Sequence, residues 1–305
     1  MRKFIVMILT LLLALGAFGL TACKDPTEPQ EPVFTYDVLE IDKTMKVAII
    51  TGLTEYGKTV QDITIPQKID DLTVSAIAAG AFENDDTITS VKFAKNSEMV
   101  VIQANAFRNC KILTSIILPN SITKIGEDAF ASCPLLKKVT LSTSLREIAD
   151  YTFVGCRSLK EIEIPASVTE IGSFAFNGCT TLTTVTFAEN STLSEIGDRT
   201  FAACYGLVNI VLPDSLTSIG SYTFMDCYMM EAINVPSKVE EIGAFAFTGC
   251  IKLGAVTFAK TTGWQAGTVA LSQTAVASAE TMAEYLTFLH EDKEWSWVET
   301  TDDED

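Results

Sequence analysis

The sequence predicts a repeat solenoid of short parallel β-strands joined by turns and 3-10 segments, with a small α+β cap at its C-terminal end. Three observations predict it. An (Ala/Thr)-Phe pair recurs with its Phe at 82, 107, 130, 153, 176, 201, 224 and 247, at spacings of 25, 23, 23, 23, 25, 23 and 23 residues. Five residues before every Phe lies an Ile: Ile77, Ile102, Ile125, Ile148, Ile171, Ile196, Ile219 and Ile242. Six residues after it lies Ile88, Leu113, Leu136, Leu159, Leu182, Leu207, Met230 or Leu253, and apolar residues follow at +9 and +11. Self-similarity at a fixed short period marks stacked repeats. A unit this small cannot bury its own apolar face, so neighbours must cover one another.

Within the unit, the stretch Leu-x-x-Ile-x-Leu is the strand signature of a leucine-rich repeat. Alternation places the +9 and +11 side chains on the inner face and the +8 and +10 side chains outside. Pro66, Pro119, Pro165, Pro213 and Pro236 end strands, where a missing N–H costs least. Gly follows the Ile in five repeats, at 126, 172, 197, 220 and 243, which suggests a tight bend there. The two longer spacings each carry an Asn-Ser loop, at 96–97 and 190–191, expected to bulge without breaking the stack.

The ends read differently. Arg2 and Lys3, the apolar run Phe4–Leu20, and Leu20-Thr21-Ala22-Cys23 have the order of a secretory signal peptide. The last four residues resemble the lipobox, in which Cys23 carries the lipid and opens the mature chain. Seventeen apolar residues are short for a span of ~30 Å of hydrocarbon. Three prolines in residues 24–32 make a stiff tether. The chain therefore divides into a lipoprotein signal peptide (1–22), the lipidated Cys23 with its Pro/Glu tether (23–32), an N-terminal cap (33–65), eight repeats of 23–25 residues (66–260) and a C-terminal cap with acidic tail (261–305). The N-cap has strand-like 47–50 and 63–65. The C-cap has Trp264, an amphipathic helix near 279–289 (Met282, Tyr285, Leu286 and Leu289 on one face), and a strand near 295–297, one Trp of which is expected to cover the last repeat.

Charge excludes some partners. The chain has net charge −17. Loss of Arg2 and Lys3 leaves 20 cations against 39 acids, a net of −19. Such a body repels phosphate backbones, so no nucleic-acid partner is expected. The lipid alone should hold it to a membrane. The lone His290, at the end of the C-cap helix, suits the helix dipole and cannot build a zinc site or a triad by itself. No phosphate-binding or dinucleotide fingerprint is present. No enzyme activity and no cofactor are expected.

Cys110, Cys133, Cys156, Cys179, Cys204, Cys227 and Cys250 each lie three residues after a repeat Phe; the first repeat has Asp85 instead. Metal sites want close pairs, and equivalent side chains in a stack point the same way, which suits a disulfide poorly. A buried ladder of free thiols is the expectation.

The whole unit, Leu-x-x-Ile-x-(Leu/Ile)-Pro-x-Ser-(Val/Ile/Leu)-Thr-x-Ile-Gly-x-x-(Ala/Thr)-Phe-x-x-Cys, clearest at Leu159–Cys179 and Leu207–Cys227, resembles the BspA-type leucine-rich repeat. The resemblance covers about 50–260. It implies a surface protein of a host-associated bacterium that binds extracellular-matrix or plasma proteins or other cells. It carries over no catalytic residue. Asp85 for Cys, and Gln103, Ala78 and Ala149 for Gly, depart from the pattern.

The expected partner is a protein, held on the outward strand face at Lys92, Ile117, Thr140, Glu163, Thr186, Val211, Asn234 and Thr257. With the +8 column, that face has four charged residues in sixteen (Lys92, Lys138, Glu161, Glu163), and charge depletion marks interface cores. Threonine also favours strands for its own sake, and a loop edge or a cap is the other place for a partner. Cell-surface adhesion is the expected use, with outer-membrane or surface placement. The alternative is a periplasm-facing scaffold of the envelope.

Overall fold

The computed structural model describes residues 31–267, 269–271, 277–284, 286–287 and 292–297. The expected signal peptide, Cys23, most of the expected tether, Tyr285, Leu289, His290 and the acidic tail lie outside the described residues. Repeats are numbered 1 to 8 by their Phe, from Phe82 to Phe247.

The fold is a β-solenoid: one leading coil and eight repeats, each returning the chain to one rung above its start. Every coil lays down two strands. The longer one lies after the Phe, as at Ser90–Phe93, Glu161–Ile164 and Ala255–Phe258. The shorter one is a residue pair ending on the conserved Ile, such as Lys124–Ile125 and Glu170–Ile171. Pairing is parallel and in register, Ile162 beside Val185 and Ile171 beside Ile196. This second strand column was not anticipated from the sequence.

Between the two strands the chain turns around the Phe. The residues two before and two after each Phe have positive φ in all eight repeats. Left-handed residues alternating with right-handed ones aim the N–H groups of positions −2, 0 and +2 along the stack. In repeat 3, Asp128, Phe130 and Ser132 donate to the carbonyls of Asp150, Thr152 and Val154 of repeat 4, at 3.2, 2.9 and 2.7 Å. The turn is thus a third hydrogen-bonded column, with no 3-10 helix in it. The one 3-10 segment described is Gly57–Thr59, in the leading coil.

The core is a set of columns. All eight Phe rings are buried and stack at 5.0–5.7 Å, tilted 5–23°. Burial of each contributes about 1.5–3 kcal/mol, and ring pairing about 0.5–1.5 kcal/mol more. The seven thiols are free and buried. Each sulfur donates to the carbonyl of the Phe one repeat earlier, at 3.1–3.3 Å. Burial pushes Cys179 up to about 12 and also raises Cys156 and Cys204, so these thiols are inert. The first repeat has no Phe carbonyl beneath it. There Asp85 caps its own turn instead, accepting from the N–H groups of Thr87 and Ile88 at 2.8 and 2.7 Å.

The glycines after the Ile are not bends. None of the five has positive φ. A Cβ on Gly220 would lie 2.6 Å from the carbonyl carbon of Gly197, and one on Gly243 would meet the backbone of Ser221. Close approach of one coil to the next is the reason for the missing side chain. The Asn-Ser loops do bulge, and Met99 and Leu193 just beyond them return to the core at 0% exposure.

The short-strand column ends in antiparallel strands at both ends. Phe34–Glu40 folds back on Lys46–Leu53, and Phe34 packs edge-on against Phe82. At the other end, Trp295–Trp297 pairs antiparallel with Glu241–Ile242 and with Trp264–Ala266. Trp264 covers the last repeat, edge-on to Phe258 at 4.8 Å. The C-cap helix runs Ala279–Glu284, with Met282 and Leu286 buried.

Gly220→Ala is expected to lower stability by about 1–3 kcal/mol through forced overpacking. Gly254→Ala, whose Cβ would find open space apart from one atom at 3.9 Å, should be near neutral. Urea denaturation of the two variants separates close approach from a general intolerance of alanine.

Candidate functional site

The strand face carries the anticipated residues as an array. All eight +10 residues, Lys92, Ile117, Thr140, Glu163, Thr186, Val211, Asn234 and Thr257, are exposed. Ile117 and Val211 stand 57% and 84% open to solvent. Parallel register puts Thr140 beside Ile117, Thr186 beside Glu163, and Thr257 beside Asn234. The hydroxyl of Thr257 donates to the Asn234 side chain at 2.8 Å. The +8 column is less uniform: Ser90, Ser115 and Ala255 are half-buried.

That face is not one continuous sheet. Its strands form groups of four, two and three, with interruptions between repeats 3 and 4 and between repeats 5 and 6. The column ending on the Ile also breaks between repeats 3 and 4, where Ala149 stands in the glycine position. The turn column alone is continuous there. A groove of about 590 Å³ lies across this seam, lined by Lys138, Thr140, Glu161, Glu163, Thr184 and Thr186 among others. A hollow of about 460 Å³ at the other interruption has Val211 and Asn190 in its wall. These two concavities of the strand face therefore sit where sheet pairing lapses.

The groove holds no constellation for chemistry. Among the described residues no group of three or more His, Cys, Asp or Glu could hold a metal ion. The thiols point into the core. What the groove offers is hydroxyls, one ammonium and two carboxylates on a rigid floor, which is the equipment of a contact surface.

Two further columns escaped the sequence reading. On the short strands, Glu147, Glu170 and Glu195 lie in register, and none of them forms an ion pair among the described residues. Burial, then the charges of Glu195 and Glu147, raise the carboxyl of Glu170 above its ordinary value. On the turn side, Tyr151 stacks on Phe174 at 4.8 Å and Tyr222 on Phe245 at 4.9 Å. The Arg199 guanidinium lies between the pairs, 4.2 Å from the centre of the Tyr222 ring and 5.7 Å from that of Phe174. All five occupy the left-handed −2 position, where a bulky side chain costs about 1–2 kcal/mol. Repeats 1 to 3 place Gly80, Asn105 and Asp128 there, residues that tolerate this conformation.

The family of BspA type leucine rich repeat regions matches residues 75–204 and 147–274, in six copies. The chain belongs to the BspA-type leucine-rich repeat family. Leucine-rich-repeat solenoids of this kind are generally non-enzymatic scaffolds for protein interaction. No curated protein matches the chain. Among solved structures, a leucine-rich repeat protein from Bacteroides ovatus is 23% identical, over 77% of this chain and 72% of that one, with a TM-score of 0.48. The leucine-rich repeat protein of T. pallidum is 25% identical, over 74% and 91%, with a TM-score of 0.37. A leucine-rich cell surface protein from Faecalibacterium prausnitzii is 20% identical, over 85% and 99%, with a TM-score of 0.35.

The glutamate ladder yields a pH prediction. A raised carboxyl favours the folded state when protonated, so its penalty is present above the folded-state value and disappears as pH falls to the ordinary 4.5. Glu170→Gln should therefore stabilise the protein at pH 7, by roughly 0.2–1 kcal/mol after solvent screening. The gain should vanish by about the ordinary Glu value. Thermal melts of both proteins across that range check the sign.

Proposed function

We propose that this BspA-type chain is a lipid-anchored protein of the bacterial cell surface. It holds a protein partner on the strand face of its repeats and serves adhesion to host matrix or plasma proteins or to neighbouring bacteria. The observation that carries the reading is the +10 column: eight exposed positions at one-strand intervals on a rigid floor, with a groove across their middle. The charges of that face balance, Lys92 and Lys138 against Glu161 and Glu163, in a chain of net −17. A protein surface can meet such a face without desolvating a strong field. The lipobox-like Leu20-Thr21-Ala22-Cys23 supports the anchor. Lys24 follows it; an Asp there would hint at inner-membrane retention, and its absence leaves outer-membrane or surface placement open.

Protease shaving of intact cells tests the location. The chain should be digested while a periplasmic control survives. Survival until the envelope is opened would replace this reading with a periplasm-facing scaffold. Ile117→Glu, Thr140→Glu, Thr186→Glu and Val211→Glu, combined, should abolish binding of matrix and plasma proteins with little change in melting temperature. Unchanged binding would clear the strand face of the role.

A further inference from the structure

The turn-side column of repeats 4 to 8 has no part in the strand-face reading and spends stability on its composition. Repeats 1 to 3 fill the left-handed −2 position with Gly, Asn and Asp. From repeat 4 onward the same position holds Tyr151, Phe174, Arg199, Tyr222 and Phe245, in the same backbone conformation. Strained positions occupied by unsuitable residues point to a use outside folding. The use is not core packing. Tyr151 is exposed and the other four are half-buried.

The geometry defines what the column can take. The rings are nearly parallel, tilted 12–13°, and turn their faces to one another. Solvent meets ring edges, so a sugar finds no open aromatic platform along the column. Arg199 sits in the middle with its guanidinium stacked on Tyr222. Its guanidinium makes no ion pair and donates no hydrogen bond among the described residues; only the backbone N–H of Arg199 donates, to the carbonyl of Ser221. In a chain with 39 acids, a guanidinium oriented by ring contacts on its faces, with no carboxylate partner among the described residues, is a carboxylate receptor, because its N–H fork matches a carboxylate in two bonds. A polyanion fits poorly. One cation in five positions gives no run of charge, and Asp128, Asp150 and Asp198 lie in the same turns.

We propose that the Tyr151–Phe174–Arg199–Tyr222–Phe245 column is a second contact surface, separate from the strand face. Its partner is a peptide segment of another protein that bears one carboxylate between apolar side chains. The acid seats on Arg199 and the apolar neighbours lie along the ring edges. Tyr, Arg and Phe are the residues that dominate binding energy at protein interfaces. Tyr205 and Tyr228, stacked at 4.9 Å, and Ile251, 73% exposed, form a separate exposed column four residues after the Phe in repeats 6 to 8.

The full-length chain in detergent micelles is titrated, by fluorescence anisotropy, with an end-capped nonapeptide that places one Glu between leucines and valines, and with its Gln twin. The Glu peptide should bind at least tenfold more tightly than the Gln peptide. Arg199→Asn keeps a residue suited to the left-handed backbone, so the coil should fold; it should remove the difference between the peptides. Phe174→Asn should weaken both peptides by a similar factor. Thr140→Glu with Thr186→Glu, on the strand face, should change neither. Equal binding of the two peptides, no binding of either, or wild-type discrimination by Arg199→Asn overturns the proposal. So does a loss of melting temperature in Arg199→Asn and Phe174→Asn with peptide affinities intact, which would make the column a strut. A uronic-acid oligosaccharide that binds in preference to both peptides would also overturn it.

Discussion

Every coil must satisfy its backbone against the coil above and the coil below, and most other features follow from that demand. The turn around each Phe meets it by alternating backbone handedness, so that three N–H groups per junction reach the next coil. No buried backbone group can be left over. Coil length is therefore held at 23 residues, and the two extra residues of repeats 1 and 5 are placed in loops outside the columns. The thiol and the Phe belong to the same arrangement. The Phe carbonyl accepts from the Cys N–H of its own turn and from the sulfur of the next turn, as Phe107 does for Cys110 and Cys133. A small, weakly donating side chain suits a buried position with one carbonyl to serve.

Stacking in register makes each residue the neighbour of its own equivalent, one strand away at about 4.8 Å. A column therefore magnifies whatever chemistry occupies it. Phe on Phe is favourable at every step, and Thr on Asn makes a hydrogen bond. Glu on Glu is costly: after burial, the neighbouring Glu195 and Glu147 add to what raises the carboxyl of Glu170. Alternation of residue type along a column is the remedy, and the strand face uses it: Glu163 lies beside Thr186. In the short-strand column, the run from Glu147 to Glu241 uses it only at Ser218, between Glu195 and Glu241.

What the sequence made legible was whatever repeats. The Phe, Ile and Leu columns, the thiol ladder, the outward +10 residues and the strand-ending prolines all follow from a period and an alternation. The short strands did not, because two residues per coil show no alternation to read. The glycines after the Ile were assigned to bends, since the sequence names a glycine without saying whether φ or a neighbouring backbone requires it. The left-handed backbone at Tyr151, Phe174, Arg199, Tyr222 and Phe245 was hidden for a related reason: none of these residue types announces such a conformation. The seam between repeats 3 and 4, and hence the groove, depends on how one coil meets the next. The Phe34–Glu40 strand lies outside the period altogether.

The two terminal strands have a consequence for assembly. A stack of parallel strands has a polarity, and an open end of matching polarity would accept another molecule's first coil and grow into a fibre. Phe34–Glu40 and Trp295–Trp297 both run against the stack. A second molecule that brings its short-strand column to either end meets a strand pointing the wrong way for continuation. Reversal of chain direction at each end of that column thus opposes end-to-end growth, and concentrated molecules can stay a population of discrete units.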